Sequence, residues 1–457
     1  MRRWLKRIVI VLAVFALPSA AFYFYVSWRG DRELRAVLEE LDANEAPWRW
    51  DDLQEARPPL AAEDDIRPLI VKIASLMPRN FNTRTPNGGA AKPNQLLWPE
   101  HVEIHAADLK ASEVAVALAR TLAGMPRGRL QVRATANLLA TSLDEVHKAR
   151  SVANLLRVSA ILDAHHGDLD SAMEKCLALL RLAAALEEFG IIHHLIRCNL
   201  QGVAVGTLEH VMAQGQPTPA RLEQLQQAWE QFDSSRALTA ALRGERAYSH
   251  WMFDALATGE ISMHNVSGRP KGPPTWEETF HDLRHRFNLK QSHAWTLRHW
   301  GVVLKVMELP EPERTARVLE LDNEPREAPV AARMLYPALQ KVVESHQRTE
   351  IRRRCAVVGL ACERFRCVHD RWPKTAEELS PKFIARIPDD PHTGEPLRWR
   401  ATADGIVVYS VGPDGKLSGT YRDEPDQNGL HWSYEFRLWN VSHRRQVDPR
   451  QFDARQP

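Results

Sequence analysis

The first 28 residues constrain this chain more than any other stretch. Arg2, Arg3, Lys6 and Arg7 precede an uncharged run from Ile8 to Trp28, IVIVLAVFALPSAAFYFYVSW. About 20 apolar residues in helical form cross the hydrocarbon core of a bilayer, so the run has the length of one crossing. Pro18 lies inside it, which membrane helices tolerate. Phe22 to Tyr25 with Trp28 form an aromatic group of the kind found at a membrane interface. The basic residues ahead of the run predict a cytoplasmic N-terminus, with the rest of the chain across a bacterial inner membrane. Ser19-Ala20-Ala21 has the character of a signal-peptidase site, yet the apolar stretch continues to Trp28. The expectation is an uncleaved single-pass anchor over residues 1–28, contacting lipid through residues 8–28.

The remainder is long enough for full-sized cores. Its 60 basic and 58 acidic residues leave a formal charge of +2, which gives no field favouring nucleic acid. Cys176, Cys198, Cys355, Cys362 and Cys367 have no C-x-x-C spacing, so a zinc ribbon or redox motif is not expected. Cys176 and Cys198 fall on successive predicted helices, where export would permit a disulfide between them. Cys355 and Cys362 share a helix face about 10 Å apart, too far to bridge. Buried thiols are the expectation for most of them.

Residues 29–330 read as a helical domain. In SLDEVHKARSVANLLRVSAILDAHH, Ser142 is a plausible N-cap, with Glu145 three residues on. The next helix, SAMEKCLALLRLAAALEEFG, ends on Gly190, which suits a helix C-terminus. IIHHLIRCNLQGVAVGTLEHVMAQG follows, and Thr218 and Pro219 open another helix. Short links imply antiparallel neighbours. Over residues 147–188 the hairpin resembles a tetratricopeptide repeat, with Ala172, Cys176 and Leu179 at the small and bulky packing positions. No second copy follows at a 34-residue period.

Residues 331–457 change texture. A long helix is predicted over 338–370, burying Val342, Val343, Ile351, Val357, Val358, Leu360, Ala361 and Phe365 along one broad face. PLRWR and GIVVYS, separated by ATAD, predict a hairpin. HWSYEFRLW alternates, with Trp432, Tyr434, Phe436 and Leu438 on one side, as in a half-buried antiparallel strand. The fold class expected is therefore mainly α: a transmembrane helix, an α-hairpin array, and a C-terminal α+β module.

That module resembles the globular part of the type II secretion protein G family, the major pseudopilins. The matching elements are Trp372-Pro373, Leu379, Ile387-Pro388, Asp390-Pro391, and Tyr409-Ser410 with Gly412, Asp414 and Gly415. The resemblance spans residues 355–438. It implies a link to secretion or envelope assembly, and calcium at the loop, where Asp414, Asp423, Glu424 and Asp426 would supply carboxylates. Read from its residues alone, the loop is a surface turn. The chain's start lacks the family's prepilin leader, so assembly into a filament is not expected.

HDLRH, with His281 and His285 one helical turn apart, approximates a zinc-protease motif with Asp282 in place of glutamate, and His293 and His299 lie downstream. It motivates a second reading, a metal-dependent hydrolase. HVEIH at 101–105 repeats the spacing by chance. Arg352 to Arg354 read as a solvated helix face. The tryptophans, Trp48, Trp50, Trp295 and Trp300 among them, are expected to fill cores. No matched catalytic set appears. The first expectation is thus a non-enzymatic membrane-anchored scaffold or interaction protein with protein partners.

Overall fold

The computed structural model describes residues 2–81, 92–130, 144–186, 190–232, 235–262, 288–321, 328–412 and 434–448. In the first helix it describes side chains at 17, 18 and from 21 onward. Helix α1 (Arg2–Asn44) carries Pro18 without a break. No helix among the described residues is long and apolar enough to cross a membrane. Most side chains of the expected anchor, including 8–16, 19 and 20, lie outside the described residues.

Short helices α2 (Trp50–Glu55), α3 (Arg67–Ser75), α4 (Pro99–Lys110) and α5 (Glu113–Arg120) lead into the hairpin array. This comprises α6 (Asp144–His166), α7 (Leu169–Ala184), α8 (Ile191–Gln214) and α9 (Pro219–Glu230). Ser142 lies outside the described residues. Asp168 caps α7 by accepting from the Ser171 amide at 3.2 Å. Thr218 and Pro219 open α9 as expected, with the Thr218 hydroxyl donating to Asp170 at 2.9 Å.

Gly190 departs from expectation. It starts α8 rather than ending α7, at φ +97°. A Cβ there would meet the Glu245 carboxylate at 2.5 Å, and that carboxylate accepts from the Ile191 amide at 2.9 Å. Glu245 caps the orphan donor of α8, which leaves room for nothing larger than glycine.

Helices α10 (Ser235–Thr258), α11 (Leu289–Val306), α12 (Glu311–Leu321) and α13 (Val330–Leu335) follow, then α14 (Leu339–His369). The long helix matches its predicted span and ends at Asp370, a left-handed residue at φ 52°. It is not buried on one face only. Cys355, Ala356, Gly359 and Cys362 are enclosed along with the predicted apolar positions. Buried residues lie on every side of its middle turns, so α14 is an interior helix and the spine of the molecule, packing on α8, α9 and the sheet. Beyond it lie α15 (Ala376–Leu379) and three strands, β1 (Arg398–Thr402), β2 (Gly405–Tyr409) and β3 (Glu435–Trp439). They form an antiparallel sheet in the order β1-β2-β3, with Trp399 opposite Val408 and Val408 opposite Phe436. One contiguous core runs from Ile66 in α3 to Leu438 in β3.

Strand β3 was expected to be half-buried, yet Glu435 and Trp439 are enclosed as well as Phe436 and Leu438. The reason is α8, which packs against β3: the Arg437 amide on the free edge donates to Glu209 at 2.8 Å. The helix caps a strand edge that would otherwise invite pairing with another chain.

Glu363 on α14, fully buried, holds Arg444 through a pair of bonds of 3.0 and 2.9 Å, and Arg366 through bonds of 3.0 and 2.7 Å. Arg444 also donates to the Gly215 carbonyl at the end of α8, at 2.5 Å. Burial pushes the Glu363 carboxyl up, and the two guanidinium groups more than offset this, leaving it below its usual range. All five cysteines are free thiols, so Cys176 and Cys198 are not bridged.

Two outcomes follow from this packing. Gly359 on α14 faces Phe436, and a Cβ there would sit 2.5 Å from the buried ring. Gly359→Ala should therefore lose about 1–3 kcal/mol to overpacking, despite alanine's better helix propensity. Gly202→Ala in α8, where a Cβ meets nothing within 4 Å, should be neutral or stabilising; melting temperatures of the two variants check this. Arg444→Met should cost about 3–5 kcal/mol by leaving a buried carboxylate half-compensated. Restoration of most of that loss by adding Glu363→Gln would distinguish lost charge balance from lost packing.

Candidate functional site: two buried histidine clusters

The start of α8 carries His194 and Cys198 at i and i+4, hence on one face. That face meets α14 at His346. His194 Nε2 lies 3.2 Å from His346 Nδ1 and 3.6 Å from Cys198 Sγ. All three residues are buried. Burial holds both imidazoles neutral at pH 7. It lowers His194 well below its ordinary value, helped by His346 and Arg197, and takes His346 to about 4 against the opposing pull of Glu350. The outward nitrogens, His194 Nδ1 and His346 Nε2, have no hydrogen-bond partner among the described residues. The bonding atoms of this cluster point at one another.

A second cluster joins α10 to α11. His250 Nδ1 is 2.8 Å from His293 Nε2, and His250 Nε2 is 3.3 Å from the Asp254 carboxylate. His293 Nδ1 in turn lies 3.9 Å from the other oxygen of Asp254, which closes the three residues into a triangle. Trp48 lies against His250 and Phe253 stacks on His293, each with ring centres 4.8–4.9 Å apart. Burial, then the neighbouring His250, takes His293 to about 3. Asp254 is 55% exposed and is the member that reaches solvent. The donors of this cluster are nitrogen and oxygen, without a thiolate.

The sequence candidates fall elsewhere. His281, Asp282 and His285 lie outside the described residues, as do Asp414, Asp423, Glu424 and Asp426. His293 bonds to His250, and His299 lies 3.0 Å from the Tyr336 hydroxyl. Residues 410–412 lead into the loop and are tied to Asp390, and the loop from 413 lies outside the described residues. Asp390, buried, accepts from Ser410 Oγ at 2.8 Å, from the Val411 amide at 3.0 Å and from the His392 amide at 2.9 Å. The two motifs noted in sequence, around Asp390 and around Ser410, therefore meet at one carboxylate. Trp372 donates to Asn440 at 2.7 Å, and Trp399 to the Pro373 carbonyl at 3.1 Å.

Arg352 to Arg354 are not a solvated face. Arg352 is buried within 3.7 Å of Glu209, Arg353 pairs with Glu350, and Arg354 pairs with Glu350 and Glu311. Three cations on an interior helix need these partners, and the run alone does not show that the helix is interior. Trp48 and Trp300 are core residues as expected, whereas Trp50 and Trp295 are half-buried. A cavity of about 630 Å³ between α2, α10 and α12 is lined by Trp50, Met307 and four arginines, Arg57, Arg236, Arg243 and Arg314, with no acidic residue among its lining.

Compared with protein-family models, curated proteins and solved structures, the chain matches none.

Near Glu209, Glu435 is pushed up to about 7, first by burial and then by the Glu209 charge. The fold therefore holds a proton that the unfolded chain releases near its ordinary value of 4.5. The resulting stability is complete below about pH 4.5 and is lost as pH rises through about 7. Glu435→Gln should match the wild-type melting temperature at pH 4 and exceed it at pH 8, by up to about 3 kcal/mol in stability. A difference between the two proteins that stays constant across that range would show that Glu435 does not retain the proton.

Proposed function

We propose that this chain is a membrane-anchored scaffold or interaction protein whose body stands outside the cytoplasm, in the secretion or envelope-assembly class suggested by its C-terminal resemblance to the major pseudopilins. The observation that carries this reading is the division of α1. Its later turns belong to the body. Val37 and Leu41 form a core with Trp48, Ala294 and Leu297, Lys290 pairs with Asp31 at 2.5 Å, and buried Arg246 pairs with Glu45 at 2.6 Å. Most large side chains of its earlier described turns are bare, Val26 excepted: Leu17, Phe22, Tyr23, Phe24, Tyr25 and Trp28 are each more than half exposed.

A patch of this kind is costly in water and marks a membrane or partner surface. Aromatic rings of this sort settle at the lipid headgroups. Because the helix is uninterrupted, a crossing segment at its start would hold the body at a fixed angle to the bilayer. The arginine-lined cavity supports the interaction half of the reading, since its cations suit an acidic group on a partner.

The full chain should remain with membranes through high-salt and alkaline washes, and deletion of residues 1–28 should release it. A reporter enzyme active only outside the cytoplasm should work when fused after Pro457. Recovery of the full chain in the soluble fraction would overturn the anchor. Crosslinking in membranes should trap a reproducible partner, whereas an uncrosslinked monomer with measurable turnover would overturn the scaffold reading.

A further inference from the structure

We infer that His194, Cys198 and His346 form a buried metal site for a borderline-soft d10 ion, with zinc(II) as its occupant. The site is independent of the membrane reading. Zinc takes imidazole nitrogen at about 2.0–2.1 Å and thiolate sulfur at about 2.3 Å, with tetrahedral angles. Those lengths place two nitrogens about 3.3 Å apart, and a nitrogen about 3.6 Å from the sulfur. The observed separations are 3.2 Å and 3.6 Å. All three donor atoms lie within 4.8 Å of one another. Two of the three edges of the cluster therefore already have the lengths of a coordination polyhedron, and the third, from Cys198 to His346, is within 4.8 Å.

The donor chemistry agrees. A mixed nitrogen and sulfur set selects zinc over magnesium or calcium, which require oxygen. Neutral imidazoles are the ligating form, and burial keeps both histidines neutral. Binding removes the Cys198 proton, and the thiolate cancels one of the two charges of the ion. This matters because Arg197, Arg314 and Arg354 all lie near enough to His346 to depress its protonation. Arg354 is itself paired with Glu311 and Glu350. Three protein donors leave a fourth position for water.

The placement assigns the ion a role. Two ligands one turn apart on α8 and a third on α14 join the hairpin array to the spine by a bond that packing alone does not supply. The group of His250, Asp254 and His293 also brings its donor atoms within 4.8 Å of one another, but it offers no thiolate and its carboxylate is exposed, so it is the less selective site for a soft ion.

The test uses the full chain in detergent, stripped with chelator under thiol reductant, reloaded with zinc sulfate, desalted and assayed for metal. Wild type should retain about one zinc per chain, and the Cys198→Ala/His346→Gln double variant less than about one-tenth of that. Cys176→Ala, which removes a different buried thiol, should retain the wild-type amount. Loading wild type with cobalt(II) gives a readout that needs no variant: a sulfur-to-cobalt charge-transfer band is expected, and Cys198→Ser should abolish it. Zinc should also raise the melting temperature of wild type and not of the double variant. Failure of wild type to retain zinc, equal retention by the double variant, a cobalt spectrum without the sulfur band, or retention of copper(I) but not zinc would each overturn the assignment.

Discussion

The buried carboxylate of Glu363 is the constraint around which the rest of this molecule is arranged. It sits on the interior helix α14 and is held there by Arg366 from its own helix and Arg444 from the segment after the sheet. A charge at that depth requires both partners in place. Arg444 carries the connection outward, since it also bonds the Gly215 carbonyl at the end of α8 and the Trp439 carbonyl at the end of β3. One ionic centre thus registers the spine, the hairpin array and the sheet against one another. The surrounding apolar core supplies the bulk of the burial, while the charges set which surfaces meet.

Much of the architecture was legible in the sequence. Helices α8, α9 and α14 and strand β2 fall where their apolar periodicity and turn residues place them, because those signals are local, while β1 runs through Ala401 and Thr402 into the stretch ATAD that reads as the turn. The failures have a common cause in neighbours that are remote along the chain. Gly190 reads as a stop signal because glycine ends many helices, and the Glu245 carboxylate that makes it a start lies 54 residues in sequence from the Ile191 amide it caps. Strand β3 reads as half-exposed because its alternation reports only two faces and not the helix across its edge. The arginines at 352–354 read as solvated because the glutamates at 209 and 311 are distant in sequence.

The same limit governs the sites. His194 and Cys198 stand four apart in IIHHLIRC, a visible spacing, but His346 lies 152 residues on in a helix whose apolar pattern attracts attention first. No local rule joins the two. The H-x-x-x-H pairs that a motif search favours gave less: His101 and His105 are simply buried in α4. The aspartate that organises the C-terminal turn, Asp390, was visible as part of a motif, although its role as an acceptor for Ser410 and the Val411 amide was not.

The segment after β3 has an implication for the order of assembly. Arg445 donates to the carbonyls of Ala164 and His165 at the end of α6, and the backbone of Gln446 bonds Asn94 and Leu96 near the start of the array. These contacts join positions about 280 to 350 residues apart. Closing loops of that length costs entropy that a few hydrogen bonds do not return by themselves, so they form on a core already packed between them. The segment is a latch on a finished body, and the body does not depend on it for its shape.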